Sequence, residues 1–232
     1  MGNICYSSEI YHLDPKDIIS LKDSDIKNNI EAKDEVIILI GSNKTYWNAQ
    51  NDGTPDTLLR GRRIVEEAVK NGTEYIPARI AFVSHIAKYD FISPLIRVLR
   101  YRHKFYSSNI YHIDPFEIRE KRIERNFRNA ENAYRFSNPK YKMTKETRQK
   151  MYQDLVDSMS QNGYDDRFPL DIMLCRNMGI QDTLNQGHHR MSVAIDCKMH
   201  RVSVIFSAAG QAPKFLHPFF RIIAKLNLLF KQ

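Results

Sequence analysis

The sequence lacks a long uncharged apolar run and is poor in cysteine. No stretch of its 232 residues approaches the about 20 apolar residues that a transmembrane helix needs. The N-terminus has no basic segment before an apolar run, so we predict no signal peptide. Cys5, Cys175 and Cys197 form no Cys-x-x-Cys pair, and an odd number without a framework fits a reducing compartment. We therefore expect a cytoplasmic protein.

The charge is unbalanced toward the basic residues. Lysine and arginine number 35 against 27 acidic residues, which gives a net charge of +8. Such a charge favours an anionic partner, whether a nucleotide, a nucleic acid or an acidic membrane. The hydrophobic fraction of 42% is enough for a packed core and argues against global disorder.

The chain repeats itself. Residues 7–18 and 107–118 are identical at eight of twelve positions, with Ser-Ser-x-Ile-Tyr-His-x-Asp-Pro in both. Residues 56–63 then parallel residues 182–189 without a gap, and residues 92–99 match residues 216–223 more weakly. An ordered set of matches indicates an internal duplication. We predict two related halves, residues 1–106 and 107–232.

Each half shows the same order of short apolar runs and turns. We expect strands at residues 10–13, 35–40 and 75–82 in the first half and at 110–113, 169–175 and 201–206 in the second. A polar loop, a basic turn and a short helix precede the last strand of each half, and Asn71-Gly72 should end the first of these helices. The second half adds a basic, helix-prone segment, residues 119–136, and a helix from Thr144. The expected fold is α/β, with each half a small mixed sheet flanked by helices.

The turn Gly187-His188-His189-Arg190 is the most informative stretch of the chain. A glycine allows the backbone to approach a ligand closely. The residues after it begin a helix, whose free N–H groups and dipole favour an anion. Two histidines and an arginine add donors and charge, so the turn is a candidate phosphate site. A solvated basic turn would explain the same residues without a ligand.

The turn resembles the signature of the ParB/sulfiredoxin superfamily, and its Gly-His-His-Arg form is similar to that of ParB-like free serine kinases. The helix of residues 144–163 and the proline-led strand of residues 168–174 fit the same pattern. The resemblance covers residues 108–206. The first half has Ile64 where the motif arginine stands, so we expect it to be a degenerate ParB-like half.

The resemblance implies a nucleotide-dependent phosphotransferase acting on a small hydroxylated substrate, with a nucleoside di- or triphosphate and Mg²⁺. The phosphate would be held by the turn residues, Gly187, His188, His189 and Arg190. Glu146 and Asp182 are the candidate catalytic carboxylates, and Asp182 is also the candidate metal ligand. The sequence departs from the kinase pattern at Gln186, where that pattern has aspartate, and either carboxylate could equally be a solvated surface group.

Other chemistries fit the turn less well. A zinc site would need His188, His189, Cys197 and His200 on one side of a helix, which their spacing does not provide. Sulfiredoxin-like chemistry would need a cysteine in the turn, where a histidine stands. A ParB-like nucleotide-binding protein that contacts DNA is a further alternative, although no helix-turn-helix segment follows the module.

Two basic amphipathic segments, residues 91–105 and 215–230, offer a non-catalytic alternative. Helices of this type attach to anionic membrane surfaces, which would place the protein on the inner face of the membrane. Each could instead pack on the body of the protein as core.

The membrane alternative predicts that the chain binds anionic liposomes less tightly as salt rises. Arg221, Lys225 and Lys231 would together contribute roughly 3 kcal/mol before screening. A chain ending at Gln211 should lose this binding, measured by liposome co-sedimentation, while its circular dichroism spectrum is retained. Unfolding of the shortened chain would instead identify the segment as core.

Overall fold

Two β-sheets with the same strand order account for both halves of the chain. The computed structural model describes residues 3–25, 35–41, 54–84, 104–123, 144–174 and 182–209. The first half contains β1 (Asn3–Leu13), α1 (Pro15–Ile18), β2 (Lys22–Asp23), β3 (Val36–Leu39), β4 (Thr57–Arg60), α2 (Arg62–Asn71) and β5 (Ile76–Ser84). The second contains β6 (Lys104–Tyr106), β7 (Tyr111–Ile113), α3 (Pro115–Glu120), α4 (Lys145–Asn162), β8 (Leu170–Leu174), β9 (Thr183–Gln186), α5 (His188–Asp196) and β10 (Val202–Ala209).

The inner strands pair in the same way in the two sheets, and β2 is an additional edge strand of the first sheet. The first sheet has the order β1-β5-β3-β4-β2, and the second has β6-β10-β8-β9 with β7 also paired to β10. The inner pairs β3–β5 and β8–β10 are parallel, whereas their flanking strands β1, β4, β6, β7 and β9 pair antiparallel with them. The pairing of β1 is irregular between Tyr6 and Ile10, and the corresponding residues separate β6 from β7. The predicted α/β class and the common architecture of the halves are confirmed.

The six expected strands, the short helix before the last strand of each half and the helix after Thr144 are present, with boundaries that follow local capping chemistry. Thr144 is the N-cap of α4 and accepts a hydrogen bond from the Thr147 N–H at 3.2 Å. Gly72 ends α2 in the left-handed conformation, as expected from Asn71-Gly72.

Three local expectations are corrected. The Asp-Pro pairs do more than end strands, because Asp14 and Asp114 each cap a short helix whose first residue is the proline. The segments expected as polar loops contain the strands β4 and β9. The helix expected at residues 91–105 cannot extend to its end, since Lys104–Tyr106 is a strand. The rest of that helix, the helix at residues 215–230 and most of the basic segment 119–136 lie outside the described residues.

One hydrophobic core serves both halves. Tyr11 of β1 and Tyr111 of β7 lie on either side of Phe206, with ring centroids 5.0 and 5.7 Å from it, and all three side chains are fully buried. Aliphatic side chains of both sheets, such as Ile80 and Ile172, belong to the same cluster. Because the core crosses the boundary between the repeats, neither half buries its apolar surface alone.

The repeats exchange hydrogen bonds across this core. The Tyr11 hydroxyl donates to Asp182 Oδ2 at 2.8 Å, and the Tyr111 hydroxyl donates to Asp56 Oδ2 at 2.7 Å. The Asp182 N–H donates to Ser8 Oγ at 2.9 Å, while the Asp56 N–H donates to the matching serine of the other half at 2.7 Å. Equivalent residues thus contact each other's halves, the pattern of an isologous twofold interface within one chain.

The Asp56 carboxyl is buried, and its removal from water opposes this exchange. Burial raises its pKa, while hydrogen bonds from backbone N–H groups and from Tyr111 oppose the rise. Burial also raises the pKa of Tyr111 well above its usual value, and the neighbouring Asp56 adds to the shift. The phenol therefore stays protonated and can only donate to the carboxylate.

Loss of either hydroxyl should destabilise the whole chain. Tyr11→Phe and Tyr111→Phe each leave a buried carboxylate short of a donor, so we expect each to lower the free energy of unfolding by about 1–3 kcal/mol. Urea denaturation followed by circular dichroism measures this. Tyr75→Phe is the control, because its hydroxyl bonds the exposed carbonyl of His200, and it should cost less. Unchanged stability of both core variants would contradict the role assigned to the exchange.

Candidate functional site

The Gly-His-His-Arg turn joins β9 to α5. Gly187 is the N-cap of α5 with φ of 91°, and no side chain caps the helix. The first N–H groups of such a helix have no acceptor within it and point outward from its start. The predicted helix N-terminus is therefore present, with His188, His189 and Arg190 as its first three residues.

Gly187 is required by packing. A Cβ there would lie 2.5 Å from Leu170 Cδ2 in β8. Gly61 of the first half has φ of 94°, and a Cβ there would lie 2.8 Å from Val36 Cα in β3. The first half lacks the motif arginine but keeps the same glycine. In both halves the glycine allows the turn to approach a neighbouring strand closely. The structure thus gives this glycine a packing role, and the ligand contact expected from the sequence stays a prediction.

Arg190 lines a cavity of about 520 Å³. The other walls are the C-terminal turns of α4 and the loop of residues 163–168, which we call the cavity loop. The Arg190 guanidinium donates to the carbonyl oxygen of Phe168 and lies 5.9 Å from the centre of its ring. Among the described residues that line this cavity, Arg190 is the only one from the predicted motif.

The cavity loop adds charges that the motif did not predict. The Arg167 guanidinium donates to both oxygens of Asp165, with Nη2 2.7 Å from Oδ2 and Nε 2.9 Å from Oδ1. The side-chain hydrogen bond from Arg167 lowers the pKa of Asp165, and the partnership raises the pKa of Arg167. The Phe168 ring, 49% exposed, lies 5.9 Å from the Arg167 guanidinium as well. Two guanidinium groups therefore flank one exposed ring at the cavity.

The two histidines of the turn do not line this cavity. His189 packs edge-on against Tyr152 of α4, with ring centroids 6.1 Å apart. The Tyr152 hydroxyl donates to Asp196 at 3.0 Å, and burial raises its pKa. His189 thus helps join α5 to α4, and His188 is half-buried at the helix start.

The structure does not bring Glu146 to Arg190. Glu146 is in the first turn of α4, and its pKa is lowered by a hydrogen bond from its own backbone N–H. The nine residues from Glu146 to Leu155, the cavity-lining residue of α4 nearest to it in sequence, span about 14 Å of helix. The structure therefore places this candidate base away from the cavity.

Asp182 has a structural role instead of the predicted catalytic and metal-binding one. It is buried, accepts from the Tyr11 hydroxyl, and is separated from Gly187 by the extended strand β9, roughly 13 Å long. Asp56 occupies the same position in the first half, where the motif arginine is missing. Within the described ranges, no three His, Cys, Asp or Glu side chains are grouped to hold a metal ion.

The zinc alternative gains no support from the geometry. His200 Nδ1 lies 3.1 Å from Asp114 Oδ2, and its ring stacks on Phe116. The Cys197 sulfur lies 3.3 Å from Ser160 Oγ. These side chains point to separate partners.

Sequence reasoning also missed a buried polar cluster in the second sheet. Asp171 Oδ1 accepts from Ser207 Oγ, and Oδ2 accepts from Asn185 Nδ2, both at 2.5 Å. By strand register, Asp171, Ser207 and Asn185 occupy the positions that Ile37, Ala81 and Leu59 occupy in the first sheet. Those three residues belong to a small apolar cluster. Aligning the sheets, rather than the sequence motifs, reveals this difference between the halves.

In the first half, the turn arginine Arg62 forms hydrogen bonds within that half. Arg62, the counterpart of His188, donates to Asp23 Oδ1 at 2.7 Å, to the Ile19 carbonyl at 2.9 Å and to the Leu21 carbonyl. These contacts hold the chain that leaves α1. Ile64 stands in the position of Arg190, so the first half lacks the motif arginine.

Comparison of the chain with protein-family models, with curated proteins and with solved structures found no match. The likeness to the ParB/sulfiredoxin superfamily therefore stays a prediction from the motif. In the described residues, no helix is both long and apolar enough to cross a membrane.

The packing role of the turn glycines can be tested directly. Gly61→Ala and Gly187→Ala combine a positive φ with a steric overlap, and each should lower the free energy of unfolding by roughly 2–4 kcal/mol. Gly72→Ala also has a positive φ, 67°, but nothing lies within 4 Å of its Cβ position, so we expect only about 1 kcal/mol. Chemical denaturation measures all three. A stable Gly187→Ala protein that has lost ligand binding would restore the glycine to the ligand site.

Proposed function

We propose that the second half binds a nucleoside di- or triphosphate with Mg²⁺, and that the chain is a nucleotide-dependent phosphotransferase acting on a small hydroxylated substrate. The observation that carries the proposal is the position of Arg190, which belongs to the first turn of α5 and lines the cavity. The resemblance of the turn to ParB-like kinases supplies the reaction class.

The physical basis is charge complementarity with a phosphate group. A guanidinium donates to phosphate oxygens through parallel hydrogen bonds, and a helix start adds N–H groups and a favourable dipole. Within the described ranges, Arg190 contacts the Phe168 carbonyl and ring, and the Asp165 carboxylate is close enough to attract it electrostatically. Arg167 adds a second guanidinium at the same cavity.

Glu146 and Asp182, the carboxylates expected to act here, do not line the cavity, and among the described residues no three His, Cys, Asp or Glu side chains are grouped to hold a metal ion. The ion would therefore arrive with the nucleotide, since Mg²⁺ is commonly held by substrate phosphates together with only one or two carboxylates. When bound, the ion would offset the phosphate charge.

A membrane location is a second proposal with a narrower basis. The net charge of +8 and the basic segments at residues 91–105 and 215–230 support attachment to an anionic surface from the cytoplasmic side. Nucleotide binding by the cavity is compatible with that location. Contact with DNA is the weaker alternative, because it rests on charge and on the resemblance alone.

Arg190→Ala should weaken the binding of ADP or ATP with Mg²⁺ by roughly 1.5–3 kcal/mol, the usual scale for a hydrogen bond to a charged group. Isothermal titration calorimetry measures the change. Arg63→Ala is the matched control, since Arg63 stands at the same turn of the first half and pairs on the surface with Glu67 at 2.8 Å. We expect the control to bind as the parent does.

The outcomes separate the parts of the proposal. Equal affinity of a folded Arg190→Ala protein would refute the phosphate role of Arg190. Nucleotide binding without turnover, tested with hydroxylated acceptors and Mg²⁺, would leave a nucleotide-binding protein and remove the transferase. A thermal-shift screen of ATP, ADP, CTP and GTP would identify the base.

A further inference from the structure

His112 lies where the two halves and the cavity loop meet. Its backbone N–H donates to Asp17 Oδ2 of α1 at 2.7 Å, and its ring Nδ1 lies 3.0 Å from the same oxygen. Its other ring nitrogen, Nε2, lies 3.3 Å from Asp166 Oδ2 in the cavity loop. One imidazole thus faces a first-half carboxylate on one side and a cavity carboxylate on the other.

This geometry favours the charged form of the ring. A neutral imidazole has one N–H and one lone pair, so it would turn a lone pair toward one carboxylate, whereas an imidazolium donates to both. Burial opposes the charge, but the hydrogen bond and attraction from Asp17, with a further hydrogen bond from Asp166, raise the pKa of His112. Arg201, at the start of β10, acts against the charge, and Ser203 is the strand neighbour of His112.

The matching histidine of the first half has half of this arrangement. His12 Nδ1 lies 3.0 Å from Glu117 Oε1, the counterpart of Asp17, and its N–H also donates to that carboxylate. Its side chain is 53% exposed, compared with 11% for His112. Among the described residues, no second carboxylate forms an ion pair with His12.

We propose that His112 is a positioning residue which, as an imidazolium shared between Asp17 and Asp166, fastens the cavity loop to the first half. The proton on His112 favours the loop arrangement that places Arg167 and Phe168 beside Arg190, so ligand binding in the cavity is coupled to that proton. The ligand part of the inference rests on the proposed function, whereas the loop part does not.

The direction of the pH dependence follows from the raised pKa. The contribution of the charged ring is fully present below the pKa of an unperturbed histidine, about 6.5, and is lost as pH rises through the higher folded pKa. The loop is therefore fastened in mildly acidic solution and released in alkaline solution. Asp17→Asn removes one of the charges that raise this pKa without altering a residue that lines the cavity.

The loop part is tested on the full chain without nucleotide, by NMR titration between about pH 5.5 and 9. Asp17→Asn and Asp166→Asn should each lower the pKa of the His112 ring. In the parent, the amide chemical shifts of residues 164–168 should change over the same pH range in which the His112 ring titrates. In both variants this change should occur at lower pH. Glu117→Gln, the matched change in the other half, should leave His112 and the loop signals as they are. An identical His112 titration in the parent and Asp166→Asn would overturn the inference.

The ligand part uses ADP with Mg²⁺ as the probe. The ADP affinity at about pH 6.5, divided by that at about pH 8.5, should be roughly 5-fold larger in the parent than in Asp17→Asn. Glu117→Gln should keep the ratio of the parent. Equal ratios in the parent and Asp17→Asn would refute the coupling. If the parent binds no ADP at any pH, the proposed nucleotide function fails and the loop titration alone decides the role of His112.

Discussion

The exchange of buried tyrosine–carboxylate hydrogen bonds between the halves is the constraint on which the rest of the structure depends. A carboxylate removed from water needs donors, and Asp56 and Asp182 each obtain the phenolic one from the opposite half. The two tyrosine rings also flank Phe206 in the centre of the core. The polar and apolar requirements of the interface are therefore met by the same side chains, and satisfying one half requires the other to be folded.

The exchange leaves each half free to diverge where it does not touch its partner. The inner strands keep one order, and both turn glycines approach a neighbouring strand. The differences that the described residues show include β2, the long helix α4, one face of the sheet and the cation at the turn. In the first half Arg62 donates hydrogen bonds to acceptors of the same half, whereas in the second half Arg190 lines a cavity. A division of labour between a supporting half and a ligand-binding half is consistent with this asymmetry.

Much of the fold could be predicted because repetition doubles every local signal. The strands β3, β5, β8 and β10 and the short helix before the last strand of each half follow from apolar runs and turns that recur in sequence. The exchange across the halves could not be predicted, since a contact between distant repeats leaves no periodic pattern. One sequence feature did point to it: Asp56 stays in the half without the motif arginine, which is typical of a structural role for both aspartates. The cavity was missed for a related reason, because Asp165, Asp166 and Arg167 resemble any charged loop until α4 and α5 bring them to Arg190.

The interface between the halves links the candidate site, which lies in the second half, to residues of the first half. α1 of the first half supplies Asp17, β7 of the second supplies His112, and the next carboxylate along this line is Asp166 at the cavity. A protonated His112 ring can donate to both carboxylates and a neutral ring to only one, so this chain of contacts has two states that differ by one proton. Because His112 is backed by a strand of the common core, its position is fixed while Asp166 belongs to a loop at the surface. A change of charge on His112 therefore acts mainly on the cavity loop, which makes the supporting half part of the site without lining it.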